Sequence, residues 1–180
     1  MLRRTRFHLA IAAVLAIVGG ASCRSDYAAA PQPAERSALH GLNDTKTSLI
    51  TCPAAETDAV YTSTIGPLGG VLAAGNMLVV IPADAVPSDT KFTLTIPASK
   101  YVEMQVTTDV SEHFEFKLPV TVTLDYGRCG RSNLDKGPLS AWYIDWTTKE
   151  LLYPMVSVDD KLARTITFST MHFSGYAVAD

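Results

Sequence analysis

The sequence predicts an all-β protein, an antiparallel β-sandwich of about nine or ten short strands, on three observations. From Leu49 onward apolar and polar residues alternate with a period of two over short stretches. Turn residues interrupt these stretches at regular intervals, and no stretch carries the apolar period of a long helix. With roughly 130 residues in this region, the domain is long enough to bury a core of its own.

The strands follow in order. Val60 to Ile65 is β-branched and aromatic and opens the series. Ile65-Gly66-Pro67-Leu68-Gly69-Gly70-Val71 reads as a turn entering a strand, and Leu78 to Pro82 as its return, with glycines and prolines setting the reversal. Lys91 to Ile96 alternates with Phe92, Leu94 and Ile96 on the buried face, and Tyr101 to Thr107 does so with Val102, Met104 and Val106. The longest alternation buries Phe114, Phe116, Leu118, Val120, Val122, Leu124 and Tyr126. Pro119 interrupts it and has no N–H to donate, which predicts two strands meeting at a bend or lying on an edge.

Cys129 to Gly137 is a polar loop, after which Leu139 to Trp146 forms a strand with Trp142, Ile144 and Trp146 on one face. That shared face is assigned to the core, which leaves Tyr143 as the exposed ring. Thr147 to Glu150 turns the chain into Leu151 to Val156, Asp159-Asp160 turns it again, and Arg164 to Thr170 and Phe173 to Val178 close the domain.

Upstream of the domain, Met1 to Ser22 has a basic start at Arg3, Arg4 and Arg6, an apolar run from Leu9 to Val18 and a small-residue end. It reads as a secretory signal over residues 1–22, too short for a membrane span. Gly20-Ala21-Ser22-Cys23 then resembles a bacterial lipobox, which implies diacylation of Cys23 as the mature N-terminus. Gly20 departs from that pattern, which carries Leu or another large aliphatic residue there; the alternative is ordinary cleavage with Cys23 left as a thiol. Arg24, rather than Asp, follows the cysteine, which the sorting pattern of diderm bacteria associates with the outer membrane. Residues 23–48, with Ala28-Ala29-Ala30-Pro31-Gln32-Pro33, read as the lipidated cysteine and a flexible tether. The option within the tether is a short helix in residues 34–42, and His40 there reads as a solvated linker histidine. The domain itself occupies residues 49–180.

Acylating Cys23 leaves an even pair, Cys52 and Cys129, which an oxidising compartment should join. The loop so closed is about 77 residues long, and such a bridge stabilises by roughly 4 kcal/mol. A zinc site is the weaker alternative, because neither cysteine has a CxxC neighbour or histidine partner in sequence. The chain carries a formal charge of -3, and without residues 1–22 it has 12 basic against 18 acidic residues. A mildly acidic chain without a basic stripe argues against nucleic acid as partner.

With these elements in place, Ile65 to Val71 followed by Leu78-Val79-Val80-Ile81-Pro82-Ala83-Asp84-Ala85-Val86-Pro87 resembles the signature of ZU-five-type domains. These occur in zonula occludens proteins, ankyrins and netrin receptors and in bacterial exported proteins. Leu118 to Leu124, Ala141-Trp142-Tyr143-Ile144-Asp145 and His172-Phe173-Ser174-Gly175-Tyr176-Ala177-Val178 extend the resemblance to Val178. The family pattern carries Pro-Gly where this chain has Ala83-Asp84. Glycine, proline and core residues make up these motifs, so they address the fold and say little about chemistry. The resemblance also implies a disulfide-stapled arrangement for Cys52 and Cys129, as in some exported bacterial relatives.

One motif carries possible chemistry. In eukaryotic relatives that combine this domain with death-domain modules, the tripeptide matching His172-Phe173-Ser174 is a self-cleavage site, the serine hydroxyl attacking the preceding carbonyl. Such an attack needs a base within about 3 Å of the hydroxyl and a strained peptide bond. His172 and Ser174 lie two apart and would share a face of one strand, which permits contact. The competing assignment makes Phe173 a core residue flanked by two solvated neighbours. No Gly-x-Ser-x-Gly elbow is present, so a conventional hydrolase is not expected. Asp109, Glu112, His113 and Glu115 match no Ca²⁺ loop and read as a solvated loop, and no metal or cofactor is expected. Trp142, Trp146, Tyr143 and Tyr153 offer the residues of an aromatic sugar platform, with Tyr143 the exposed ring. The sequence therefore predicts a non-enzymatic, exported, lipid-anchored sandwich with an unidentified protein or glycan partner.

Overall fold

Period-two alternation becomes strand pairing along most of the domain. The computed structural model describes residues 47–111, 114–130 and 137–180, all within the unit Thr45–Asp180. Their strands are β1 (Ala59–Ile65), β2 (Gly70–Ala74), β3 (Met77–Ile81), β4 (Thr90–Ile96), β5 (Glu103–Thr108), β6 (Glu115–Asp125), β7 (Ser140–Ile144), β8 (Leu151–Pro154), β9 (Ser157–Asp160), β10 (Thr165–His172) and β11 (Gly175–Ala179). One sheet has the order β1-β4-β5-β11-β7-β8 and the other β2-β3-β6-β10-β9, and the strand pairs among the described residues are antiparallel. The fold is the expected all-β sandwich. The signal segment, Cys23, residues 24–46 with His40, and Glu112 and His113 lie outside the described residues.

Facing rows of apolar side chains hold the sheets together. Leu72, Val79, Val122, Leu124 and Phe168 come from the five-stranded sheet, and Phe92, Leu94, Met104, Val106, Tyr176 and Val178 from the six-stranded one. Toward one end, Phe92, Phe114, Phe116 and Phe173 form a ring cluster with centroids 4.5 to 5.9 Å apart. The edge-to-face and stacked geometries add to what burial alone contributes.

The β2–β3 hairpin depends on backbone that only particular residues tolerate. Gly69 has φ +73°, and a Cβ there would lie 2.5 Å from the carbonyl oxygen of Ile81. Only glycine fits both constraints. Asp84 takes a left-handed φ of 64° where the resembling family carries glycine, and its N–H donates to the Pro67 carbonyl at 2.8 Å. An aspartate tolerates that conformation better than most side chains.

Three expectations change. First, the alternation through β6 breaks at Leu118, which is 43% exposed although Phe116 and Val120 on either side are buried. Thr170 pairs with Val120 and His172 with Glu115, so Phe116 to Pro119 stand opposite Met171 alone. Pro119 marks this irregularity, and β6 continues through it as one strand rather than two. Second, Asp159-Asp160 is not a turn but the end of β9, a strand the sequence did not announce. Asp159 accepts from the Tyr126 hydroxyl at 2.6 Å and the Leu139 N–H at 3.1 Å. The turn follows, with Asp160 Oδ1 accepting from Leu162 and Ala163 N–H. Third, Trp142 and Trp146 are only half-buried, and Ile144, although buried, lies outside the cluster between the sheets, as described below.

The expected staple is present, with Cys52 bonded to Cys129 and their Cα atoms 4.6 Å apart. Arg128 beside it donates to the carbonyls of Pro53, Ser99 and Tyr101, fastening the entering segment to the start of β5. Burial lowers the pKa of this guanidinium, and nearby Glu103 opposes the shift. The start of the domain is tied to Asp180 as well, since Ser48 donates through its N–H and hydroxyl to Asp180 Oδ1.

Candidate functional site

Strand register decides which way each aromatic residue points. In β11, Tyr176 and Val178 belong to the core, which turns Gly175, Ala177 and Ala179 outward. Ile144 pairs with Gly175 and Trp142 with Ala177, while Tyr143 pairs with Tyr176. Trp142 and Ile144 therefore share a face as predicted, but it is the outer one. Tyr143 packs against the core instead of forming an exposed ring. Alternation alone cannot separate an inward apolar face from an outward one that small neighbours cover.

Over the outer face lies Trp146, and a Cβ on Gly175 would come within 3.1 Å of its Cε3. The turn that carries it is set by Asp145, whose Oδ1 accepts from the N–H groups of Thr147 at 2.8 Å and Thr148 at 2.6 Å. The Thr148 bond is the main cause of a lowered Asp145 pKa. Lys149 follows with φ 61°, places Nζ 3.6 Å from the Trp146 ring centroid and pairs with Glu103 Oε2 at 2.6 Å. Glu103 is only 1% exposed although it sits on the outward side of β5, and its other oxygen accepts from Ser99 Oγ at 2.7 Å. The ion pair thus completes a lid of indole and ammonium over small residues.

Beside this lid opens a cleft of about 430 Å³, lined among others by Gln105, Thr107, Trp146, Thr147, Leu152 and Ser174. The chemistry of its wall is neutral and polar on the β5 side and apolar on the Trp146 and Leu152 side. Sequence reasoning missed Gln105 and Thr107, because nothing local ties them to Trp146. Gly175 and Ala177 were the available signal: small residues in a strand mark where something bulky crosses.

His172 and Ser174 are not brought together on one strand. His172 ends β10 in the five-stranded sheet and β11 starts at Gly175 in the six-stranded one, so Phe173-Ser174 is the link between sheets. Phe173 is fully buried and its N–H donates to the Phe114 carbonyl at 3.0 Å. The His172 ring lies by the tyrosines, with Nε2 3.2 Å from the Tyr153 hydroxyl and Nδ1 3.5 Å from that of Tyr176. Ser174 lines the outer cleft. Positive φ among described non-glycine residues occurs at Asp84, Lys149 and Arg164, so left-handed strain does not load the Phe173-Ser174 link.

Inside, the hydroxyls of Tyr126 and Tyr176 are engaged. Tyr176 donates to the His172 carbonyl at 2.7 Å and lies 3.0 Å from Thr170 Oγ1. Burial pushes its phenol far above the ordinary range, and Tyr126 is pushed up by burial and then by Asp159. Tyr153 is raised more modestly, by burial and then Tyr143, with which it stacks at 4.7 Å. Among the described residues no group of three His, Cys, Asp or Glu side chains is placed to hold a metal ion. Asp109 is used locally, accepting from the Lys91 N–H at 3.3 Å.

No family model matches this chain, and no curated protein matches it.

Proposed function

We propose that this chain is an exported, lipid-anchored, ZU-five-like sandwich that acts at the cell envelope, on the outer membrane, as a non-enzymatic binding module. The observation that carries the reading is the Cys52–Cys129 bond. It consumes two of the three cysteines and leaves Cys23, in its lipobox-like setting behind a signal-like segment, as the odd one. A disulfide is what an oxidising compartment favours. The outer cleft, built on the paired strands of the six-stranded sheet, supports binding as the domain's task. The separate surroundings of His172 and Ser174 favour binding over self-cleavage.

Anchoring is tested by expressing the full chain in a diderm bacterium fed an alkyne fatty acid. The wild type should carry the label and fractionate with membranes, and Cys23→Ala should lose the label and become soluble. An unlabelled wild-type chain in the soluble fraction sinks the lipoprotein reading.

A further inference from the structure

We propose that the cleft beside Trp146 binds a neutral saccharide, and that a longer glycan extends from it across β5, β4 and β1. The inference rests on the binding-module reading above and names the ligand class.

Size comes first. About 430 Å³ falls within the range of roughly 300–1,000 Å³ typical of small-ligand sites. The lining supplies what a polyhydroxylated ring needs: the amide of Gln105 and the hydroxyls of Thr107, Thr147 and Ser174 both donate and accept hydrogen bonds. Trp146, one ring face of which is covered by the Lys149 ammonium, and Leu152 add apolar surface against which the C–H groups of a sugar can pack.

Charge then selects among polar ligands. The carboxylate lining the cleft, Asp145, is engaged by two backbone N–H groups. Nearby Glu103 is neutralised by Lys149, whose ammonium is held against Trp146. An anion would therefore find no uncommitted cation among these groups, and a cation no uncommitted carboxylate. A neutral ligand avoids both penalties.

The direction of extension follows from the register. Thr107 pairs with Thr93 and Thr93 with Thr62, while Gln105 pairs with Thr95. All point to the outer side of the six-stranded sheet, since Phe92, Leu94, Met104 and Val106 fill the core. The result is a row of uncharged hydroxyls stepping at the strand spacing of about 4.8 Å. Thr62 and Thr93 already lie 3.2 Å apart, Oγ1 to Oγ1, and each keeps acceptor capacity for a ligand.

The test is an array of neutral and acidic glycans probed with the detergent-solubilised full chain, followed by titration calorimetry with a neutral hit. Neutral glycans should bind; Trp146→Ala and the near-isosteric Thr107→Val should each weaken binding at least tenfold, and Thr62→Val should weaken only longer glycans. Ser169→Ala, exposed on the other sheet, should change nothing. Thr107→Val guards against misfolding, since a folded variant that has lost binding supports the site. The inference is overturned by no glycan binding, by binding confined to sulfated or sialylated glycans, or by unchanged affinity in both Trp146→Ala and Thr107→Val. Loss of the fatty-acid label with glycan binding intact overturns the anchoring alone; label retained with no glycan bound overturns this inference alone.

Discussion

The inner and outer sides of β7 and β11 both carry aromatic rings, yet they are built on opposite plans. Inside, Tyr143 and Tyr176 lie among apolar neighbours, and the Tyr176 hydroxyl is bonded to protein groups. Outside, Trp146 lies against Gly175 and Trp142 pairs with Ala177, and a cleft with partly polar walls opens beside Trp146. The inner plan spends its polar atoms on holding the fold. The outer plan uses glycine and alanine to seat indoles and leaves Gln105, Thr107 and Ser174 facing solvent-accessible space. An aromatic residue's role therefore depends on the size of its cross-strand partner more than on its own type.

Substitutions on each side sharpen this contrast. Phe173→Ala, at the inner end of the link between sheets, should cost about 3–5 kcal/mol in chemical denaturation, because the phenylalanine cluster cannot collapse around the void. A loss under 1 kcal/mol would show that the ring cluster is not a joint core. On the outer side, Glu103→Gln should cost about 1–3 kcal/mol by leaving Lys149 without its buried partner. It should also shift tryptophan fluorescence, since Lys149 is held on the Trp146 ring; unchanged emission would contradict that contact.

Gly175→Ala brings a methyl within 3.1 Å of Trp146 and 3.3 Å of Ile144. The indole can swing, so the expected loss is about 1 kcal/mol, at the low end for overpacking, with a reshaped cleft read as altered fluorescence. A stability change beyond about 3 kcal/mol would mean that the lid is as rigid as the core.

Alkaline titration separates the phenols. Tyr126 and Tyr176 have folded pKa values above their unfolded value of about 10. The stability they contribute is present below about pH 10 and falls as the pH rises past it. Tyrosinate absorbance should show these two ionising with unfolding rather than before it; early ionisation of all tyrosines would refute the burial argument. The smallest expected effect is none at all. Denaturing mass spectrometry should show no loss of Ser174–Asp180. Denaturation matters, because β11 lies between β5 and β7, so a cleaved peptide would stay in place under native conditions.

Much of the fold was legible because local rules and burial agree there. Phe92, Leu94, Val102, Met104 and Val106 are fully buried as their alternation predicts, and the Gly69-Gly70 turn opens its hairpin as written. Legibility failed where a partner strand changes the rule. Leu118 escapes burial because the ladder slips at Pro119. Asp159 reads as a turn residue, yet it bonds Tyr126 across 33 positions. The candidate site was visible only in part: Trp146 and Ser174 drew attention singly, while Gln105 and Thr107 had no local mark.

By itself the sequence determined the class of fold, most of the strand positions and the parity by which Trp142 and Ile144 share a side, all consequences of a two-residue repeat and of turn chemistry. Only the tertiary structure decided which side is inside. That choice depends on the volume offered by the strand alongside, and β11 presents glycine and alanine outward and tyrosine and valine inward. Pairing to residues far away in the chain converts that difference into a core on one side and a cleft on the other.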